Sequence, residues 1–461
     1  MAFILLLLAI TTAIWAVATL PRMTPLVMGI SAICLGAIFG FDFFNVKVGP
    51  LPLTLDRAFW GILGATVLIQ TLRRKSQRLL FLSPIDFFLV AFVLVLIAST
   101  FLHAWQRSNN LPMARLLFFQ LIPISFFWIG RYTRFEEKEL VYFGAVGLVF
   151  GVYLALTGIA EKNGWHGLVF PQYIINHEDL EFFGRARGPF INPVGNGIVQ
   201  IFCLGCACLL WKYVTPTVRY VLAGLMGLIC IGVFCTMTRS VWLGLCLSAA
   251  ITVWVCFPKA SRGALISSTA VASILFIFVL GPYLNQFKRD EYVTAEEMSR
   301  SAGLRPMLFS VAYEMTREKP FFGHGYGQYK KVAGPYHRLG NTDKPIQQVR
   351  PYLQHNVFLA YLAELGLIGL GLAVTVFGCF LYRSWVLIND QRLRTGHRLL
   401  CLCAFLLTFN MIINGLLHDV SLIVVVGSLY FYTNGLAYAV GDQLQVELSK
   451  SSHSRQTNGA L

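Results

Sequence analysis

The stretch Arg350–Gly371, RPYLQHNVFLAYLAELGLIGLG, begins polar and becomes almost wholly apolar. His355 and Asn356 stand at the start of the apolar part, which continues well past the end of the quoted stretch. An apolar run of about 20 residues has the length of a transmembrane helix. The stretch therefore predicts a membrane span with a polar mouth and with one carboxyl group, Glu364, inside it.

Similar apolar runs recur along the whole chain. Of the 461 residues, 56% are hydrophobic and 13% are charged, which excludes an ordinary soluble domain of this length. About thirteen runs are candidate spans: 3–20, 25–41, 58–72, 87–102, 116–130, 140–159, 197–211, 220–237, 241–257, 264–283, 356–381, 399–417 and 422–440. The pattern predicts an all-α polytopic membrane protein with about 12–13 transmembrane helices and one large, partly helical periplasmic loop.

The runs divide the chain into four parts. Residues 1–283 form a transmembrane bundle of about ten helices, 284–354 the large loop, 355–440 the C-terminal transmembrane helices, and 441–461 a cytoplasmic tail. The eleven cysteines lie in or beside apolar runs, which argues against a disulfide framework and against a zinc site.

Basic residues assign the two sides of the membrane. Cytoplasmic loops are enriched in Lys and Arg, and Arg73, Arg74 and Lys75 mark one such loop. Alternation then places the polar segments Gly184–Gly197 and Thr236–Ser240 on the outer side, together with the large loop and the mouth at His355. Four polar segments on one face predict a single extracytoplasmic site.

The large loop has the pattern of a folded segment. Leu304, Met307, Leu308, Val311 and Met315 recur at helical spacing, and Pro320 ends the predicted helix. Eleven Lys and Arg against seven Asp and Glu suit an anionic substrate, and a solvated surface would have the same balance. For Tyr326, in the glycine-rich part that follows, a role in turns and packing is favoured.

Three outer arginines are candidates for binding phosphate. Arg187 precedes a span, Arg239 lies between two closely spaced spans, and Arg305 lies in the helix of the loop. The guanidinium group offers a planar fork of donors that matches phosphate oxygens. An arginine at the end of a span can instead extend its charge to the interface.

The mouth and the buried carboxyl group predict separate roles. His355 has the chemistry of a general base, with helix capping as the alternative, and Asn356 can orient it or cap the helix. Glu364 follows nine residues later, which in one straight helix is ~13 Å deeper and on the opposite face. It is expected to hold the helix against a neighbour that Gly366 and Gly369 allow to approach closely.

A polar stripe lies at the end of the twelfth run. Asn410, Asn414 and His418 recur at i, i+4 and i+8, and Asp419 follows. This spacing places the first three on one helical face. Hydrogen bonding between helices is the favoured role, and His418 is a candidate for the surroundings of the site.

Four segments in order resemble one family. They are RARGPFINPVGNG from Arg185, TRSVWLGL from Thr238, the loop sequence SAGLRPMLFSVAYEMTREKPFFGHGYGQY from Ser301, and QHNVFLAYLAELGLIGLG from Gln354. The set is similar to the O-antigen ligase and polymerase superfamily of bacterial inner-membrane glycosyltransferases. Thr238 stands where that family has Ser, and Val194-Gly195 replaces its Asn.

The resemblance implies a reaction and its partners. A glycan passes from an undecaprenyl-diphosphate carrier to an acceptor hydroxyl, either of another glycan or of lipid A core, on the periplasmic side of the inner membrane, with inversion. No metal, cofactor or nucleic acid is implied, and membrane lipids are the surroundings. His355 would be the base, Arg239 and Arg305 would balance the diphosphate, and Arg187, Asn356 and Tyr326 would contact substrate.

Two other functions are also consistent with the sequence. A polymerase of the same family would join lipid-linked repeat units, and the motifs do not separate it from a ligase. A solute or anion transporter would also use a basic outer vestibule and a buried carboxyl group, although the chain has no convincing internal repeat.

Overall fold

The computed structural model describes residues 24–48, 51–73, 83–102, 112–176, 182–275, 295–336 and 355–458. The predicted span 3–20 lies outside these ranges. The helices are α1 Pro25–Ile38, α2 Leu55–Arg73, α3 Pro84–Leu102, α4 Pro112–Tyr132, α5 Glu139–Lys162, α6 Pro193–Trp211, α7 Pro216–Cys235, α8 Arg239–Cys256, α9 Lys259–Leu275, α10 Ala295–Glu318, α11 Tyr329–Val332, α12 Val357–Asn389, α13 Thr395–Gly415 and α14 Val424–Asn458. A small antiparallel pair, β1 Asn45–Val48 and β2 Leu51–Thr54, was not predicted.

The prediction of an all-α polytopic membrane protein is confirmed. Within the described ranges, eight helices are long and apolar enough to cross a membrane: α3–α8, α12 and α13. Helix α1 is apolar but has 14 residues. Helix α14 continues to Asn458, so the predicted tail begins inside a helix.

Helix α12 folds back on itself at Gly366. Gly366 has φ 68° and ψ −167°, which lies outside the helical region. The rings of Phe358 and Phe377 are 5.8 Å apart, whereas 19 residues of straight helix would separate them by about 28 Å. Residues 357–365 therefore lie alongside the first part of residues 367–389. The predicted depth of Glu364 in one straight helix is wrong, because the chain reverses beside it.

Helix α10 has the apolar face that its sequence predicts. Met307, Leu308, Val311 and Met315 are buried, and the side chain of Leu304 lies outside the described part of the chain. Ala363 of α12 belongs to the same buried cluster as Val311 and Met315. This face therefore attaches the loop to the first half of α12.

The short connections gather at two ends of the bundle. At one end Glu137 accepts hydrogen bonds from Lys212 and Tyr213 and pairs with Arg394 at 3.3 Å. These residues lie in three connections that the sequence predicts to be cytoplasmic. At the other end, the segment Gly184–Gly197 contacts Thr236–Ser240 through Arg185, and the loop separately contacts the turn of α12.

Candidate functional site

His355 and Asn356 directly precede α12 and lie beside the end of α13. The Asn356 carboxamide accepts hydrogen bonds from the backbone N–H groups of Phe358 and Leu359 at 2.9 and 3.1 Å, which caps the helix. Its Nδ2 donates to the carbonyl of Leu416 at 2.9 Å. His355 is thus held at a fixed helix start and next to the chain that leaves α13.

Left-handed backbone marks the same segments. In the described ranges, four non-glycine residues have positive φ: Phe182, Ile191, Met237 and His355, at 60°, 48°, 49° and 48°. Such backbone is rare for residues with a Cβ atom, and it clusters at active and binding sites. All four lie in or beside the outer segments that were predicted to form the site.

Arg239 is the first residue of α8, and its side chain is exposed. A second arginine shapes the turn before it, because Arg185 donates to the Thr236 carbonyl at 3.0 Å and to the Thr238 hydroxyl at 2.5 Å. The Ala186 N–H also donates to the Cys235 carbonyl. The segment Gly184–Gly197 therefore positions the start of α8.

Arg305 lies within α10, and its side chain is outside the described part of the structure. The helix places its backbone on the element that packs against the first half of α12. Its predicted contact with diphosphate stays a prediction.

Arg187 is 1% exposed and makes its contacts inside the protein. Its Nε donates to Glu161 at 3.0 Å, its backbone N–H donates to the same carboxylate at 2.7 Å, and a terminal nitrogen donates to the Ile174 carbonyl at 2.5 Å. These contacts tie the outer segment to α5. Its predicted contact with substrate also stays a prediction.

Glu364 joins three elements at the turn of α12. The carboxylate is 1% exposed and accepts hydrogen bonds from the N–H groups of Gly327 and Tyr329 at 2.9 and 3.4 Å. Arg115 of α4 lies 3.5 Å from it. A buried carboxylate with these donors fixes the loop and α4 to the hairpin of α12.

The glycine-rich part of the loop supplies hydrogen-bond partners to the peptide groups at the turn of α12. The Leu367 and Ile368 N–H groups donate to the carbonyls of Pro320 and Phe321, at 2.8 and 3.3 Å. The His324 and Gly325 N–H groups donate to the carbonyls of Ala363 and Glu364, at 3.0 and 2.9 Å. We call these four hydrogen bonds the seam. They satisfy peptide groups that the reversal at Gly366 removes from the helix ladder.

Two glycines show how tight the turn is. A Cβ atom at Gly366 would overlap the backbone of Phe321, and one at Gly369 would overlap the side chain of Leu365. The close approach therefore comes from the loop at Gly366 and from the first half of α12 at Gly369.

The polar stripe at the end of α13 makes two kinds of hydrogen bond. Asn410 Nδ2 donates to the Ser248 hydroxyl of α8 at 2.7 Å, and the His418 N–H donates to the Asn414 carbonyl at 2.8 Å.

Tyr326 is buried between the loop and the bundle. Its N–H donates to the Ser99 hydroxyl at 3.0 Å, and the Arg115 guanidinium lies 5.1 Å from its ring centroid. Burial raises the pKa of the Tyr326 phenol to about 12, so the ring is neutral at physiological pH. It is positioned to pack the loop onto α3 and α4.

The sequence gives little sign of the roles of Arg115 and Arg185. Arg115 lies in the first turn of a span, where an arginine is ordinarily read as extending to the interface, and its partner Glu364 is 249 residues away. The only local signal for Arg185 is its place in RARG, and its contacts with Thr236 and Thr238 come from the tertiary fold.

A small cavity lies between the two halves of α12 and the neighbouring helices α3, α4, α13 and α14. Its volume is about 40 Å³, which is room for one or two water molecules. Gln120 lines it from a π-helical turn of α4, Leu117–Leu121, and Tyr361, Ser421 and Tyr430 add polar groups. No cluster of three metal-ligating side chains occurs among the residues that the structure describes.

One comparison with known proteins gives a match. Residues 198–374 match the family model described as O-antigen ligase, and the matched segment contains Arg239, Arg305, His355 and Glu364. No curated protein sequence matches the chain. The match covers about two fifths of the chain and includes three of the four segments that carry the resemblance. Residues 198–374 are thus similar to the O-antigen ligase family, which confirms the resemblance to the O-antigen ligase and polymerase superfamily.

Proposed function

We propose that the protein transfers a glycan from an undecaprenyl-diphosphate carrier to an acceptor hydroxyl on the periplasmic side of the bacterial inner membrane. The observation that carries the proposal is the O-antigen ligase match, which contains Arg239, Arg305 and His355. The left-handed backbone of His355 and its place between α12 and α13 support the assignment of this residue.

The chemistry needs a base and a charge partner for the leaving group. His355 takes the proton of the acceptor hydroxyl while that oxygen attacks the anomeric carbon from the face opposite the diphosphate. The bond from this carbon to the diphosphate oxygen breaks, and the diphosphate leaves with the electron pair. Arg239 and Arg305 balance its charge, and the anomeric configuration inverts.

The remaining candidates support this arrangement. Asn356 fixes the backbone that carries His355, and Arg185 fixes the turn that carries Arg239. Glu364 holds the loop through Gly327, Tyr329 and Arg115 and is a positioning residue. We retain Arg187 as a candidate for contact with donor, although its guanidinium pairs with Glu161.

The test is transfer by the purified protein, supplied with a lipid-linked glycan and with candidate acceptors. His355→Ala is expected to reduce the rate by about 10²–10⁴-fold, which is the usual contribution of a general base. His397→Ala is the matched control, because that imidazole stacks on Phe135 at the opposite end of the bundle. Full transfer by His355→Ala would remove the base from the proposal.

The arginines are tested in the same assay. Arg239→Ala and Arg305→Ala should weaken use of the donor, whereas Arg317→Ala, an exposed change on the same helix as Arg305, should not. Transfer only onto a second lipid-linked repeat unit would identify a polymerase. A wild-type protein that transfers nothing but carries a solute into liposomes would be a transporter.

A further inference from the structure

Four exposed aromatic side chains lie in the loop, two on α10 and two just after its end. Phe309 and Tyr313 are one helical turn apart on α10 and are 55% and 54% exposed, on the side opposite the buried Met307, Val311 and Met315. Phe321 and Phe322 follow the end of the helix and are 60% and 68% exposed. Large apolar side chains at this level of exposure mark a contact surface. We call these four residues the aromatic patch.

The seam fixes the height of the patch along α12. The carbonyls of Pro320 and Phe321 accept hydrogen bonds from Leu367 and Ile368, the first two residues after the turn. Leu367 and Ile368 are themselves 50% and 37% exposed. The patch therefore continues directly into the exposed surface of a membrane-spanning helix.

The length of α12 places that height at the membrane boundary. The second half, residues 367–389, has 23 residues, which extend about 34 Å at 1.5 Å per residue. The hydrocarbon core is about 30 Å thick, so this half crosses it alone. The turn at Gly366, with Phe321 and Phe322 beside it, then lies at the level of the lipid headgroups, where interfacial segments bury Trp, Phe and Leu side chains.

The charges beside the patch suit the same surroundings. Lys319 is exposed next to Pro320, and Arg317 pairs with Glu314 at 3.4 Å. Glu318 accepts a hydrogen bond from the Tyr336 hydroxyl and faces the loop. One exposed basic group adds little attraction at such an interface, so apolar contact carries most of it.

We propose that the aromatic patch is a lipid-contact surface, which seats the loop in the outer interface of the membrane against phospholipid. The inference is independent of the proposed transfer reaction, because it rests on exposure, on the seam and on the length of α12. The occupant is bilayer lipid because the patch adjoins the lipid-facing surface of a span.

Photocrosslinking of the full chain tests this surface. Benzoylphenylalanine replaces Phe322 in protein held in nanodiscs of phosphatidylethanolamine and phosphatidylglycerol, and adducts are identified by mass spectrometry after irradiation. The same probe at Glu136, whose side chain is 71% exposed in the connection between α4 and α5, is the control. We expect phospholipid adducts at Phe322 several-fold above those at Glu136.

Two results would overturn the proposal. A covalent dimer in place of lipid adducts would identify a second copy of the chain as the occupant, and adducts no more abundant than at Glu136 would place the patch in water. If the Phe322 variant does not accumulate, the probe at Tyr313 gives the same readouts from α10. Loss of transfer activity in either variant does not enter the decision.

Discussion

Three arginines of the described structure have different environments. Arg239 is exposed at the start of α8, Arg187 is buried against Glu161, and Arg115 lies beside Glu364 and over Tyr326. The sequence makes both Arg187 and Arg239 candidates for phosphate binding, because both lie beside a span on the predicted outer side. Only the folded structure shows that Glu161, 26 residues earlier in the chain, pairs with Arg187.

Arg187→Ala separates a structural role from contact with the donor. Removing one partner of a buried ion pair leaves the other charge uncompensated, and such changes cost about 3–5 kcal/mol. We therefore expect a lower thermal unfolding temperature in detergent and a loss of transfer that follows the loss of folded protein. Arg317→Ala, at an exposed pair, should leave both unchanged. A raised KM for donor with an unchanged unfolding temperature would instead assign Arg187 to substrate.

At the scale of elements, the turn in α12 is the feature that hydropathy does not reveal. Residues 357–389 are apolar throughout, and an average over such a run carries no information about chain direction. The glycine at 366 was expected to permit close approach of a neighbour. Its positive φ depends on the loop, which supplies the peptide groups of the seam.

Gly366→Ala and Gly371→Ala form a matched pair on α12. A methyl group at Gly366 would have to adopt φ 68° and would overlap the Phe321 backbone, so we expect a loss of roughly 3 kcal/mol or more in stability. A methyl group at Gly371 meets nothing within 4 Å, and alanine in a helix gains up to about 1 kcal/mol over glycine. The unfolding temperatures of the two purified variants should move in opposite directions. Equal values would contradict the reversal at Gly366.

At the scale of the molecule, one carboxylate links three connections at the predicted cytoplasmic end. Glu137 contacts Lys212, Tyr213 and Arg394, which belong to the connections that follow α6 and α12. Burial acts to raise the pKa of Glu137, but the hydrogen bonds from Lys212, Tyr213 and Arg394 outweigh it and lower the pKa to about 2. The ionised carboxylate therefore stabilises the folded state.

This lowered pKa predicts a specific pH dependence. An unfolded glutamate titrates near pH ~4.3, so the contribution of Glu137 is complete above that value and is lost as the pH falls toward 2. Because the cluster is partly exposed, Glu137→Gln should lower the free energy of unfolding at pH 7 by about 1 kcal/mol. The unfolding temperature should fall by roughly 2 °C. The difference from wild type should shrink between about pH 4.3 and 2. A difference that is constant over this range would show that charge is not its cause.

The sequence predicts those parts of the molecule that local patterns determine. Apolar runs locate the spans, and the spacing of Met307, Val311 and Met315 locates the buried face of α10. The predicted outer segments contain three of the four left-handed residues, and Phe182 lies just before one of them. The partners of Arg187, Arg115 and Glu364 could not be predicted, because each is set by packing between distant helices. The π-helical turn in α4 leaves no pattern in the apolar run that contains it.

The seam also has a consequence for motion. Lifting residues 320–325 off α12 would break the four hydrogen bonds of the seam at once and uncover the buried Ala363 and Glu364, so the separation would cost much free energy. Residues 320–325 therefore do not open and close separately from α12. Residues 320–325 and the hairpin of α12 are therefore expected to move together, and a hinge that admits a substrate is expected outside this contact.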